Sequence, residues 1–343
     1  MPNAFDMQGS VVASVPVSAW DPALELIRAA DTIAISGHTN PDGDALGSVL
    51  GLGLALRRHF PLKRVTTLLA DDAPIPRVYR FLPGSEDLVP ATRYTEDPDL
   101  FISVDAPSLE RLEDSAAVAR RTASCLTIDH HPAREEFADA VIRRPEAAAT
   151  AVLVADMLAA AHIELDPAIA TCLFCGIVTD TGRFQYQNAN PESFACAARL
   201  VAAGADPSRV ALEVYQSQRL EYLHLEAVVL GRIRTAAEGR VAYSYATSDD
   251  LESCGVGHDE CDGLVDAVRQ VAGAEVCMFL KDGKTPGLVR GNLRSKGDLD
   301  VSTVAARHDG GGHKAAAGFS YKGTVEQALD ALLPELVELV TVC

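Results

Sequence analysis

The stretch "SGHTNPDGDALGS", residues 36–48, sets His38, Asp42 and Asp44 between two apolar runs. Before it stands a strand-like segment (TIAIS, 32–36), and after it a helix-like one (ALGSVLGLGLAL, 45–56). A turn between strand and helix needs Pro41 and Gly43. It does not need a histidine and two carboxylates. In open sheets of parallel strands, ligands bind beyond the carboxyl ends of the strands. Three potential metal ligands at such an end therefore mark a site as well as a turn.

The same alternation continues outward from this point. Further uninterrupted apolar strands are expected at 64–70 (RVTTLLA), 100–104 (LFISV) and 125–128 (CLTI), with helices at 44–58, 147–161, 167–178 and 191–203. Apolar strands separated by helices indicate a parallel sheet covered on both faces. The fold class read from the chain is α/β. A mostly parallel N-terminal sheet with helices on both faces is expected over 20–205, and a helical linker over 206–230 with a polar break at 216–219. A smaller C-terminal α/β domain is expected over 231–343, with strands at 240–247, 275–282 and 287–295 and helices at 259–272, 300–308 and 324–341. The first 20 or so residues carry little pattern and are expected to fray.

Composition narrows the function. With 343 residues, 48% hydrophobic and 23% charged, the chain reads as a folded protein of two domains. No apolar run reaches the ~18–20 residues of a spanning helix, and the start (MPNAFDMQGS) lacks a signal-peptide pattern, so a cytoplasmic protein without a membrane partner is expected. The eight cysteines read as reduced thiols; Cys172 and Cys175, in ATCLFCGIV, read as helix core and not as a redox pair. A net charge of −18 argues against coating long nucleic acid, but not against a small anionic substrate held by a few arginines and bound cations.

More acidic and histidine positions fall at the ends of elements. Asp105 follows LFISV in "SVDAP"; Asp129, His130 and His131 follow CLTI in "TIDHHP"; Asp180 stands in "IVTDTGRF", where an apolar helix runs into a turn. A lone Asp after a strand usually caps a helix or shapes a turn. Jointly these groups demand more, because buried unpaired carboxylates repel and cost several kcal/mol each. Two divalent cations supply the counter-charge. Carboxylate and imidazole ligation without thiolate suits manganese first, then magnesium, iron or cobalt. Two ions ~3.5–4 Å apart form the usual clamp for phosphoester hydrolysis. In the C-terminal half, "HDGGGHKAAAGF" (308–319) carries three glycines that let backbone N–H groups approach an anion, followed by His313 and Lys314. Arg290 and Arg294, four apart on an apparent strand, point to one face and suit phosphate.

These motifs, in this order, resemble those of the DHH phosphoesterase superfamily, whose name-giving motif is Asp129-His130-His131 here. The glycine run resembles the signature of its associated C-terminal substrate-binding domain. The arrangement is most similar to the compact bacterial nanoRNase and pAp-phosphatase branch. The resemblance implies hydrolysis of short RNA (nanoRNA) to mononucleotides, and of 3′-phosphoadenosine 5′-phosphate (pAp) to AMP, by a two-metal activated hydroxide. Cyclic-di-AMP or pApA cleavage is the alternative, and a manganese inorganic pyrophosphatase a weaker one. It further implies that His38, Asp42 and Asp105 hold one metal, most readily Mn2+, and that Asp44, Asp105, His130 and Asp180 hold a second, with Asp105 bridging. His131 would face the scissile phosphate and Asp129 would orient the histidines. Arg294, Gly311, Gly312 and His313, with Arg290 beside them, would grip the nucleotide. Asp309 stands where the family usually has glycine. A homodimer is a base-rate expectation.

Overall fold

The computed structural model describes residues 17–132 and 136–342. The expected fraying of the N-terminus falls almost wholly outside these residues. The chain divides into two compact units, one through Ser217 and the other from Gln218.

The first unit opens with α1 (Asp21–Ala29), β1 (Thr32–Ser36), α2 (Gly43–His59) and β2 (Arg64–Leu69). Then come a two-residue β3 (Val89–Pro90), β4 (Leu100–Val104), α3 (Ser115–Ala119), β5 (Ser124–Asp129) and β6 (Ala140–Arg143). Four helices close it: α4 (Thr150–Ala160), α5 (Pro167–Asp180), α6 (Pro191–Ala202) and α7 (Pro207–Tyr215). The six strands form one parallel sheet in the order β3-β2-β1-β4-β5-β6. The α/β reading of the sequence holds. The order reverses between β1 and β4, the switch point at which such sheets bind ligands.

Side chains alternate across the strands. Ile33, Ile35, Leu100, Ile102, Val104, Leu126 and Ile128 face a large core built with α1, α2, α4 and α5. Ala34, Phe101 and Cys125 face a thinner layer made by α3 and short turns. Cys172 and Cys175 are fully buried in α5, as expected of core residues, and burial pushes both thiols up. The strands β3 and β6 are absent from the sequence reading. A dipeptide and a short, half-buried AVIR carry too little pattern to be seen.

The second unit contains α8 (Leu220–Gly231), β7 (Arg234–Ala236), β8 (Val241–Ala246), α9 (Ser248–Cys254), α10 (Leu264–Val268) and β9 (Val276–Asp282). It continues with β10 (Leu288–Ser295), α11 (Ser302–Ala306), β11 (Gly311–His313), β12 (Ala316–Lys322) and α12 (Val325–Val342). Its six-stranded sheet runs β11-β12-β10-β9-β8-β7, antiparallel except for the β8–β9 pair. The helix expected over 259–272 shrinks to α10 after a 3-10 turn at His258–Glu260. Gly263 at its N-terminal boundary and left-handed Gly273 beyond its end bracket what can be helical. The glycine run proves to be an edge strand, β11, whose small residues conceal a strand pattern.

Helix α2 carries the ligand loop, and glycines let it lie against α5. A Cβ at Gly47 would stand 2.3 Å from the Cys172 carbonyl oxygen; one at Gly176 would stand 2.7 Å from Asp44 Oδ1. Gly47→Ala is therefore expected to destabilise the protein by about 1–3 kcal/mol through overpacking against backbone. This outweighs the ~1 kcal/mol that alanine gains in helix propensity. Gly231→Ala, in α8 with nothing within 4 Å of the added atom, serves as the comparison and is expected to be neutral to slightly stabilising. Urea unfolding of both variants checks this, and a stabilised Gly47→Ala would contradict the close α2–α5 contact.

Candidate metal centre

The predicted ligands of the first unit lie at the ends of elements, Asp42 and Asp44 at the start of α2 and the others at or next to a carboxyl end. His38 follows β1 by two residues, Asp105 follows β4 directly, Asp129 ends β5 with His130 and His131 behind it, and Asp180 ends α5. Asp42 is the N-cap of α2: its Oδ1 accepts from the backbone N–H groups of Asp44 and Ala45, both at 3.0 Å. Asp105 is held at φ 57°, a left-handed conformation a non-glycine residue adopts at a cost, with its N–H bonded to the Ile128 carbonyl (3.0 Å).

These positions bring the side chains together in three groups, two of which share Asp105. His38, Asp42 and Asp105 each place a ligand atom within 4.8 Å of the others. Asp44, His130 and Asp180 do the same, and so do Asp105, Asp129 and His131. His38 Nε2 lies 3.8 Å from Asp42 Oδ1 and 3.6 Å from Asp105 Oδ2. His130 Nε2 lies 3.9 Å from Asp44 Oδ2, 3.5 Å from Asp105 Oδ1 and 3.6 Å from Asp180 Oδ2. Asp105 thus turns one oxygen to each histidine.

These separations test the fit to metal. They exceed hydrogen-bond lengths, yet they approach the spacing of neighbouring ligands around one ion bound at about 2.0–2.2 Å. The other imidazole nitrogens are engaged away from the cluster: His38 Nδ1 lies 2.8 Å from the Thr39 carbonyl and His130 Nδ1 3.1 Å from the Ala147 carbonyl. That is how metal-binding histidines are usually oriented. The donor set contains no thiolate, which favours hard or borderline divalent cations. The residues fit.

Backbone donors and buried arginine support the carboxylates. Asp44 Oδ2 accepts from the Thr150 N–H (2.6 Å), and its Oδ1 from the Ala151 N–H (2.9 Å) and Ser48 Oγ (3.3 Å). Asp44 therefore also caps α4. Thr150 Oγ1 donates to Asp105 Oδ1 (2.9 Å). Asp129 Oδ1 accepts from the His131 N–H (3.1 Å) and lies 2.9 Å from His131 Nδ1, while Arg143 Nε donates to its Oδ2 (3.4 Å). Asp129 accordingly orients His131; His130 is oriented by a carbonyl instead. Ser48, Arg143, Ala147 and Thr150 were not singled out in the sequence. Two of them contribute backbone groups, which leave no mark on residue type.

Crowding shapes the protonation of the metal-free cluster. Burial, then the neighbouring Asp105 charge, pushes Asp44 up to about 7. Burial, then Asp42, does the same to Asp105, raising it to about 7. Asp180 also reaches about 7, through burial and then the repulsion of Asp44 and Asp42 against the opposing pull of His130. Burial opposes charge on both histidines, but surrounding carboxylates outweigh it and hold His38 and His130 at about 9. Asp42 stays well below the carboxylate range, because His38 and the Ala45 N–H overcome its burial.

In the second unit, Arg290, Asn292 and Arg294 share one face of β10. Pairing through β12 aligns Arg294, Ala316 and His313 in one row across three strands, and Asn292, Gly318 and Gly311 in the next. Gly312 belongs to the row of Leu293 and Ala317 and turns to the other face. It adopts φ 144°, and a Cβ there would meet the Ala316 carbonyl at 2.4 Å. The buried Arg294 Nε has no hydrogen-bond partner and stands 3.9 Å from Asp266 Oδ1. Arg290 donates to Ser320 Oγ. His308 Nε2 turns to Glu335 Oε1 of α12 (2.8 Å). Asp309, at φ 52°, occupies a left-handed position that glycine would fill without strain.

Residues 32–177 match the model of the DHH family, N-terminal domain, and residues 238–341 that of the DHHA1 domain. The bifunctional oligoribonuclease and PAP phosphatase NrnA of Thermus thermophilus is 30% identical over 319 residues, spanning 92% of this chain and 93% of that protein. The Bacillus subtilis protein of the same name is 26% identical over 306 residues, 86% of this chain and 92% of its own. Among solved structures, an exopolyphosphatase-related protein from Bacteroides fragilis superposes with a TM-score of 0.86 at 26% identity, covering 96% of this chain and 98% of that one. The chain belongs to the DHH family, its DHH domain followed by a DHHA1 domain.

Proposed function

We propose that this protein is a manganese-dependent phosphoesterase that cleaves short RNA oligonucleotides to mononucleotides and removes the 3′-phosphate of pAp. The observation that carries this reading is Asp105 turning one oxygen to the His38 group and the other to the His130 group. His38, Asp42 and Asp105 would hold one cation, and Asp44, His130 and Asp180, with Asp105, a second. Divalent cations there supply Lewis acidity toward phosphoryl oxygens and lower the pKa of water.

The chain's own residues do the rest. Asp129 fixes His131 through Nδ1, which assigns Nε2 the donation of a proton to the departing ester oxygen as the P–O bond breaks. Arg143, largely buried and bonded to Asp129 and Glu136, holds Asp129 in place. In the second unit, the row of Arg294 and His313 across a floor of Ala316, Gly318 and Gly311 suits a nucleotide: a fork for phosphate and room for a flat base. Gly312 shapes the edge of that floor and Arg290 extends its positive end. The relatives named as oligoribonucleases and PAP phosphatases over most of the chain support this choice of substrate.

A panel with Mn2+ comparing pAp, short RNA, pApA, cyclic-di-AMP and pyrophosphate tests the reading. Turnover of pAp and short RNA is expected to lead. Preference for cyclic-di-AMP would move the assignment to that class, and turnover of pyrophosphate alone would overturn it. Asp105→Ala is expected to lower activity by about 100-fold or more, as loss of a central electrostatic stabiliser does, while the far-ultraviolet circular dichroism stays that of the parent.

The protonation pattern gives a second test. Asp44, Asp105 and Asp180 titrate near 7, and His38 and His130 near 9, all raised above their unfolded values. Raised groups stabilise the metal-free fold at low pH, and that stability is lost as pH rises through 7 and then 9. Cations displace the same protons. The increase in melting temperature on adding Mn2+ to chelated protein is therefore expected to grow between pH 6 and pH 9. An increase independent of pH would contradict the assigned ligands.

A further inference from the structure

Between Arg290 and Arg294, on the same face of β10, stands a half-buried amide, Asn292. In the sheet it lies between Phe279 of β9 and Gly318 of β12, with Gly311 of β11 beyond. The two glycines raise no side chain beside the amide. A Cβ added to Gly318 would stand 3.6 Å from Asn292 Oδ1, so the amide oxygen leans over this floor.

The orientation of the amide is fixed by its other end. Asn292 Nδ2 donates to Asp262 Oδ1 (3.0 Å) and lies 3.5 Å from the Asp262 carbonyl oxygen. Both of these are acceptors, so the nitrogen and not the oxygen must face Asp262. Asp262 Oδ1 is held in turn by Lys281 Nζ at 2.8 Å, a buried ammonium that also donates to the His258 carbonyl. Turning the amide over would set Oδ1 against a carboxylate. Oδ1 therefore stays on the glycine side, where it accepts nothing from the described residues.

A fixed acceptor without a partner, beside a flat floor, matches the edge of a nucleobase. We propose that Asn292 is a specificity-determining residue, whose Oδ1 accepts from the exocyclic amino group of a base lying on the Gly318–Gly311 floor, so that adenine and cytosine bind in preference to hypoxanthine and uracil. The last two carry a carbonyl oxygen in place of the amino group, and two facing acceptors repel and stay unpaired. Unpaired RNA bases are commonly read on this edge. With Nδ2 committed to Asp262, the amide does not rotate to suit a carbonyl. This rests on the reading above that this face holds the nucleotide, and it adds which bases the face prefers.

The experiment uses two pairs of nucleotides of equal size that exchange the amino group for a carbonyl, CMP with UMP and AMP with IMP. Each is titrated into the full Mn2+-loaded chain, and turnover of pCpC and pUpU is followed by steady-state kinetics. The parent is expected to bind CMP about 3- to 10-fold more tightly than UMP, and AMP than IMP, the margin of one neutral hydrogen bond. KM for pCpC is expected to lie below that for pUpU in proportion. In Asn292→Ala, CMP and AMP are expected to fall to the level of UMP and IMP. Asp262→Ala, which frees the amide to turn over, is expected to narrow both preferences. Equal affinities within both pairs in the parent, a comparison that needs no variant to fold, would overturn the proposal and leave the phosphoesterase reading intact. So would an Asn292→Ala that weakened all four nucleotides alike, which marks a structural role. If the parent turned over none of its substrates, the phosphoesterase reading would fail, and the four titrations would still decide the role of Asn292.

Discussion

Asp42, Asp44, Asp105 and Asp180 occupy one small volume at the switch point of the sheet, and much of the first unit exists to make that tolerable. Carboxylates this close repel, and burial removes the water that would screen them. Asp44 shows how the chain answers. Both its oxygens accept backbone N–H groups from the first turn of α4, where the helix dipole favours negative charge. For that turn to reach Asp44, α4 must pack beside α2, and α2 must lie close to α5. The glycines of α2 and α5 follow from this requirement: Gly47 meets the Cys172 carbonyl, Gly51 the Leu173 side chain, and Gly176 Asp44 itself. A stripe that looks like loose helix composition is the consequence of an electrostatic constraint.

The sheet of the first unit was legible because its central strands are buried on both faces. TIAIS, LFISV and CLTI carry no charge and are mostly apolar, and all three fall within a residue of β1, β4 and β5. What escaped lies where burial is incomplete or side chains are small. The strand β6 is half exposed along its length. The strands β11 and β12 are built largely from glycine and alanine, and their register is set by close backbone approach at Gly310 and Gly312, not by apolar alternation. Tertiary contact decides such segments, and a single sequence records little of it.

The ligands were legible for a different reason: Asp and His at the ends of apolar strands are chemically conspicuous. Their supports were not. The Ala147 carbonyl and the Thr150 and Ala151 N–H groups act through backbone atoms from more than fifteen residues away from the groups they hold. For Asp42 and Asp44, capping and ligation are compatible. Each does cap a helix, and each still presents lone pairs to the cluster, since a carboxylate has more acceptor sites than a cap requires. His308 stands beside the glycines in sequence, and its ring turns to Glu335 on α12.

Net charge and substrate can now be related. A chain of net charge −18 has little long-range attraction for a polyanion. The positive groups that the proposed function assigns to substrate are few and local: Arg290 and Arg294 on one face of β10, with His313 in the row of Arg294. Each can neutralise about one phosphate, and nothing in that inventory extends into a stripe that would follow a backbone. On the proposed function, this acidity favours short strands over long ones. It acts by withholding attraction from the rest of the chain, without needing any contact that measures it.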